Sequence, residues 1–126
     1  MTRDELDAAT DEQLNVMAAK VMGWTIRNHR MPDDEYVSIW YGADGSQGPM
    51  CDEWNPATSI ADAWELVEKM RVLYGFNLDA SGFDGAEWRV VIGWGDDPIS
   101  VHVEAATAPR AITTAALLAW EAKEKA

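Results

Sequence analysis

Six residues have the types and spacing to form a small anion-binding pocket. Trp54, Asn55 and Thr58 stand just before one predicted helix, and Thr107 and Arg110 open another. The first turn of a helix offers free N–H groups and partial positive charge, which suit a phosphate or carboxylate. A Trp54 face could stack against a base or ring, the Asn55 amide could bond to its edge, and Arg110 would supply a full positive charge. Trp24 is the sixth member, a second aromatic wall. The same residues have a plainer reading in which Thr58 and Thr107 are helix caps, Asn55-Pro56 is a turn and Trp54 covers the core. The positions of Trp54, Trp24 and Trp40 separate the two. A shared solvent-facing pocket supports ligand binding, and full burial removes it.

Other chemistry has less to stand on. His29 and His102 fall on different predicted strands; with a carboxylate such as Glu104 they could bind a metal or move a proton, but nothing fixes them at ligand spacing, so both read as surface or edge histidines. Asp33-Asp34-Glu35, Asp52-Glu53 and Asp96-Asp97 carry enough oxygen for a hard cation, but turn chemistry explains them. Asp79 to Glu87 has a partial calcium-loop spacing with Phe83 where an oxygen ligand is needed. Cys51 lies beside Asp52 and Glu53, whose charge disfavours a thiolate. The chain contains no G-x-S-x-G, Walker A or G-x-G-x-x-G motif. No catalytic residue, metal site or cofactor is expected, and the chain reads as a non-enzyme.

The elements that would position the pocket follow from local patterns. Thr10 to Gln13 is a capping box, and Leu14, Met17, Ala18, Val21 and Met22 form the stripe of the helix it opens, which Gly23 ends. Thr2-x-x-Glu5 offers a frayed extra turn before it. Trp24 to His29 and Tyr36 to Tyr41 read as strands, the second apolar on both faces. Gly42 to Asn55 reads as a long loop, rich in Gly and containing Pro49. Thr58 or Ser59 caps a helix from Ile60 to Leu73, with Ile60, Ala63, Trp64, Val67 and Met70 as its buried stripe and Gly75 at its end. Trp64 and Val67 should then face the sheet, opposite Trp88 or Val90. Phe76 to Ala80, Trp88 to Trp94 and Ile99 to Ala105 are three further strands. Turns at 81–85 and 95–98 join them. A last helix after Thr107 has a small-residue side of Ala108, Ile112, Ala115, Ala116 and Ala119, with Lys123 and Lys125 near its C-terminus. The fold class is α+β, with a 4–5-stranded, mainly antiparallel sheet, three main helices and one domain over residues 1–126.

Net charge narrows the partners. Ten Lys and Arg stand against 22 Asp and Glu, a balance of -12. Nucleic-acid binding draws its affinity from clustered basic residues, so it is not expected, nor is an anionic membrane surface. The acids are spread along the chain, as solubility requires, and an acidic face could also imitate DNA toward a basic enzyme. No apolar run approaches the roughly 20 residues of a membrane span, and the acidic start has no signal-peptide pattern, so a cytosolic setting is expected. One cysteine allows no intrachain disulfide.

Three stretches carry a family resemblance: Ala18 to Trp24 (AAKVMGW), Trp54 to Met70 (WNPATSIADAWELVEKM) and Ala106 to Ile112 (ATAPRAI). Together, in order and spacing, they are similar to the phage ABA sandwich domain family, small proteins of tailed bacteriophages and prophages. The resemblance implies an α-β-α sandwich and a phage protein working in the host cytoplasm. Arg110 stands where the family usually has a large aliphatic residue, and the Gly42 to Glu53 loop has no counterpart. It carries over no catalytic residue. Two functions are compatible with it: a counter-defence sponge holding a small, nucleotide-like anionic immune signal, or an acidic inhibitor of a basic host or defence protein. Homo-oligomers are compatible with either.

Overall fold

The computed structural model of the chain describes residues 2–74, 77–82, 88–93 and 100–124. Expectations that fall on Gly75, Phe76, the 83–87 and 94–99 segments (with Phe83, Trp94 and Asp96-Asp97) and Lys125 lie outside the described residues.

Local signals placed the first elements well. Thr2 caps a short helix, α1 (Arg3–Ala8), through its hydroxyl to Glu5 N. The capping box is complete at α2 (Asp11–Val21): Gln13 N donates to Thr10 Oγ1, and Thr10 N donates to Gln13 Oε1. Gly23, at φ 78°, follows the end of α2, and Trp24 N donates to Ala19 O. Only a residue without Cβ takes that φ freely. Of the expected stripe, Leu14, Ala18 and Val21 are buried and Met17 and Met22 half-buried; Ala19 is buried as well.

Three antiparallel strands follow: β1 (Thr25–Arg30), β2 (Tyr36–Tyr41) and β3 (Gln47–Met50), in that order across the sheet. β1 and β2 pair without a register break over all their residues, whereas the register with β3 shifts between Ile39 and Tyr41. β3 is a correction to the expected loop. Gly48 and Pro49 read as loop punctuation, but an edge strand tolerates a proline because its outward N–H has no partner to lose. β2 is likewise not covered on both faces throughout. Its burial rises from an exposed Tyr36 to a buried Ile39, Trp40 and Tyr41, so the hairpin overhangs the body at its turn.

The second half repeats the plan. α3 (Ile60–Tyr74) is followed by β4 (Asn77–Ser81), β5 (Trp88–Gly93) and β6 (Ser100–Ala105), an antiparallel sheet in chain order, and then by α4 (Ala108–Glu124). α4 packs on β5 and β6 and also meets α2 and α3, so it links the sheet to the other helices. Its small side makes this close approach feasible: Ala111, Ala115, Ala116 and Ala119 are all buried. The class is α+β, as expected, but the described strands form two three-stranded sheets rather than one sheet of four or five. Among the described residues there are four helices rather than three, because α1 is a real element. Arg3 anchors it, donating to the carbonyls of His102 at 2.9 Å and Glu104 at 3.4 Å on β6.

The phase of α3 is a second correction. Ala63, Leu66, Val67 and Met70 are buried, whereas Ile60 and Trp64 are exposed. The helix is turned so that Leu66 replaces Trp64 in the core. On β5, Val90 and Ile92 are buried and Trp88 is exposed.

Candidate functional site

The six expected pocket residues are not brought together. Trp54 is 2 % exposed and packs edge-on against Trp24, ring centroids 4.8 Å apart. Its indole N–H donates to Glu65 Oε2 at 3.1 Å. Trp40 is 6 % exposed and belongs to the same core. Neither ring has a face free for a ligand.

Asn55 is consumed by the fold. Its backbone N–H donates to Asp62 Oδ2, its amide N–H to Asp52 O, and its amide oxygen accepts from Asn15. Asn15, buried on α2, also accepts from Ala57 N at 3.0 Å. These bonds tie the 52–57 segment to α2 and α3. Ser59 is the residue before α3: its carbonyl accepts from Ala63 N, and its hydroxyl lies 3.4 Å from Asp62 N. Thr58 instead donates to Asn55 O at 3.4 Å. The carbonyl of Thr107 accepts from Ala111 N at the start of α4.

Arg110 is engaged at the other end of α2. Its guanidinium pairs with Asp11 at 2.6 Å and donates to the carbonyls of Ala9 at 2.7 Å, Leu6 at 3.3 Å and Asp7 at 3.4 Å. These are carbonyls at the end of α1, where the helix's own N–H donors run out; Leu6 O also accepts from Ala9 N at 3.2 Å. Arg110 therefore joins α4 to the α1–α2 junction. At about 1.5 Å per residue, the length of α2 separates it from the tryptophan pair by roughly 15 Å. As one pocket, the constellation is corrected. Its members are structural contacts at two places.

Of the six, Trp24 borders open space. It lines a cleft of about 530 Å³ together with Gly42, Asp44, Ser46 and Lys69. The Ser46 hydroxyl and backbone N–H both bond to Asp44, which holds that carboxyl below the usual carboxylate range. The cleft therefore has an aromatic wall, one ammonium and one carboxylate.

A feature missed in sequence lies between α1 and α2. An open trough of about 640 Å³ has Val16 and Met17 among its lining residues, with Glu5 and Glu12 beside them and Lys20 at the last turn of α2. The signals were present: Thr2-x-x-Glu5 announces α1, and Val16 falls outside the apolar stripe of α2. What was not legible is that α1 packs close enough to make a trough of the two.

The remaining candidates stay apart. His29 stacks on Tyr41 in one sheet, and its Nε2 lies 2.7 Å from the Tyr41 hydroxyl. His102 lies 3.8 Å from Glu104 in the other sheet. No group of three or more His, Cys, Asp or Glu converges among the described residues. No helix of the described residues is long and apolar enough to cross a membrane.

Burial pushes the Cys51 thiol up, with Asp52 adding to it. Sequence pointed to the charge, and burial proves the larger cause. A raised thiol pKa means less thiolate at a given pH, so iodoacetamide at pH 8 should modify folded protein several-fold more slowly than the chain in urea. Equal rates would contradict this environment for Cys51.

A family model for the Phage ABA sandwich domain matches residues 15–117. A solved structure of a phage protein from Bacillus cereus ATCC 14579 is similar in fold, with a TM-score of 0.59 at 21 % identity, covering 88 % of this chain and 92 % of that one. No curated protein matches the chain in sequence.

Proposed function

The chain belongs to the phage ABA sandwich domain family, and we propose that it is a non-catalytic bacteriophage accessory protein that binds a basic surface of a host or defence protein. The binding face is the trough between α1 and α2, and the setting is the host cytoplasm. One observation carries the reading: the trough combines an exposed Val16 and a half-buried Met17 with Glu5 and Glu12 on an acidic surface. Asp4, also exposed, adjoins Glu5 on α1, and Lys20 is the cation in the lining. Apolar contact would supply affinity, while the carboxylates and the net charge of -12 would steer a cationic partner. A small-ligand pocket built on Trp54 and Arg110 loses ground for the opposite reason, since both are taken up internally.

The test is native mass spectrometry after incubation with host lysate, with sequence identification of any retained protein. Wild type should retain a basic protein at about 0.15 M salt. The Glu5→Lys/Glu12→Lys double variant and Val16→Asp should each lose it, with unchanged circular dichroism. Retention by every variant would place the interface elsewhere, and a retained small molecule with no protein would reject the reading.

A second reading keeps the sponge, moved to the Trp24 cleft. It is favoured by the position of Lys69 beside an accessible aromatic wall, which suits a ring-bearing anion. Asp44 opposes it. Calorimetry with cyclic dinucleotides and ADP-ribose derivatives, on wild type and Trp24→Ala, distinguishes the two. Heat that disappears in Trp24→Ala supports the sponge, and silence across the panel rejects it.

A further inference from the structure

In a chain with 22 carboxylates, five of the six arginines pair with one: Arg3 with Asp7, Arg30 with Asp34, Arg71 with Glu68, Arg89 with Glu104 and Arg110 with Asp11. Arg27 does not. Among the described residues its guanidinium lies over the Tyr41 ring, 4.7 Å from the centroid, and forms no ion pair. Tyr41 is fixed in turn by His29. The ring therefore holds a full positive charge in place while leaving its N–H donors to solvent.

Arg27 sits on an unprotected sheet edge. All six residues of β1 are exposed, and its pairing with β2 is regular from Thr25 to Arg30. The strand has no proline and no bulge, and β2 is its one neighbour among the described strands. Two of the other edges are guarded: Arg3 bonds to carbonyls of β6, and β3 contains Pro49. A regular open edge is a template for an added strand, with main-chain bonds giving affinity and alternate side chains giving choice.

Alternation makes the choice specific. From the register with β2, Arg27 and His29 share one face, while Ile26 and Arg30 share the other with Tyr36. Ile26 is 54 % exposed and Tyr36 68 %. We propose that β1 takes up an extended segment of a partner protein as an added strand, with acidic residues facing Arg27 and His29 and an apolar residue facing Ile26. Asp33, Asp34 and Glu35 lie at the hairpin turn, and Arg30 pairs with Asp34. The partner's carboxylates should therefore sit toward the Arg27 end. A second copy of β1 fits poorly. Two-fold antiparallel pairing keeps like faces together, and the registers that pair most of β1 set Arg27 opposite Arg27 or His29 of the other copy.

The probe is an eight-residue peptide alternating valine and glutamate, followed by amide chemical shifts and hydrogen exchange. At about 1 mM peptide, amides of residues 25–30 should shift and gain protection. The same peptide N-methylated at every residue, and its lysine-for-glutamate version, should leave them unchanged. Arg27→Glu, at an exposed position and with an unchanged melting temperature, should weaken the acidic peptide by at least about tenfold and admit the lysine peptide. Absent shifts, equal binding of the N-methylated or lysine peptide, shifts confined to the α1–α2 trough, or a dimer paired through β1 would each overturn the proposal. The trough reading concerns a different face and is untouched by these results.

Discussion

Replacing Arg110 with alanine should destabilise the protein by about 2–4 kcal/mol, measured by urea unfolding followed by circular dichroism. Two strong charged contacts are lost, to Asp11 at 2.6 Å and Ala9 O at 2.7 Å. The longer approaches to Leu6 O and Asp7 O add little. Asp11 is half exposed, so its ion pair alone is screened and modest. The Ala9 carbonyl matters more, because it follows the end of α1 and loses the guanidinium donor, whereas Leu6 O keeps the Ala9 N–H. α1 should fray first, with faster amide exchange at Leu6 to Ala9. Arg110→Lys should fall between the two, since one ammonium cannot reach the carboxylate and the carbonyls as a planar fork does. A variant within about 0.5 kcal/mol of wild type would remove this structural role. It would also revive Arg110 as a group held for a ligand.

That contrast explains how much of the site was legible in sequence. The residue types around Trp54, Asn55 and Arg110 do carry hydrogen-bond donors, a ring and a charge. Sequence cannot say whom they meet. Arg110 finds its partners 99 to 104 residues away, on α1 and the first turn of α2. Asn55 bonds to Asn15, 40 residues away. Polar groups at helix starts are the first to be used in joining elements, because buried donors and acceptors must be satisfied. Arg27 illustrates the reverse. Nothing in Thr25 to Arg30 marks it as different from Arg30, and only the register and the Tyr41 ring separate them.

The fold was legible where its signals are local. The capping box and Gly23 fix both ends of α2 from a handful of neighbouring residues, and the apolar stripe agrees with them. Alternation holds in part in β5, where Val90 and Ile92 are buried but Trp88 on the same face is exposed, and in β6, where Val101 and Val103 are buried. It failed at β3, where Gly48 and Pro49 contradict the pattern that an interior strand would need. It also did not fix the grouping of strands into two sheets. That grouping depends on long-range pairing, to which a two-residue period is blind.

Trp54→Ala and Trp64→Ala should separate widely, and their difference tests the phase of α3. Two stripes compete along this helix. Ile60, Ala63, Trp64, Val67 and Met70 make one, and Ala63, Leu66, Val67 and Met70 make the other, so size alone draws Trp64 inward. Packing decides against it: Leu66 is fully buried and Trp64 is 39 % exposed. Trp64→Ala should therefore cost less than about 1 kcal/mol, because alanine favours the helix and no cavity forms. Trp54→Ala should cost about 3–5 kcal/mol, since it empties a ring-sized volume in the core and removes the surface against which Trp24 packs. Its bond to Glu65 contributes little to that sum, because the carboxylate is exposed and can turn to water. Urea unfolding of both variants gives the two costs directly. Equal costs, or a larger cost at Trp64, would show that α3 is rotated by about 45° from the arrangement described. Trp54 would then be free to serve as the ligand wall that its sequence neighbourhood suggests.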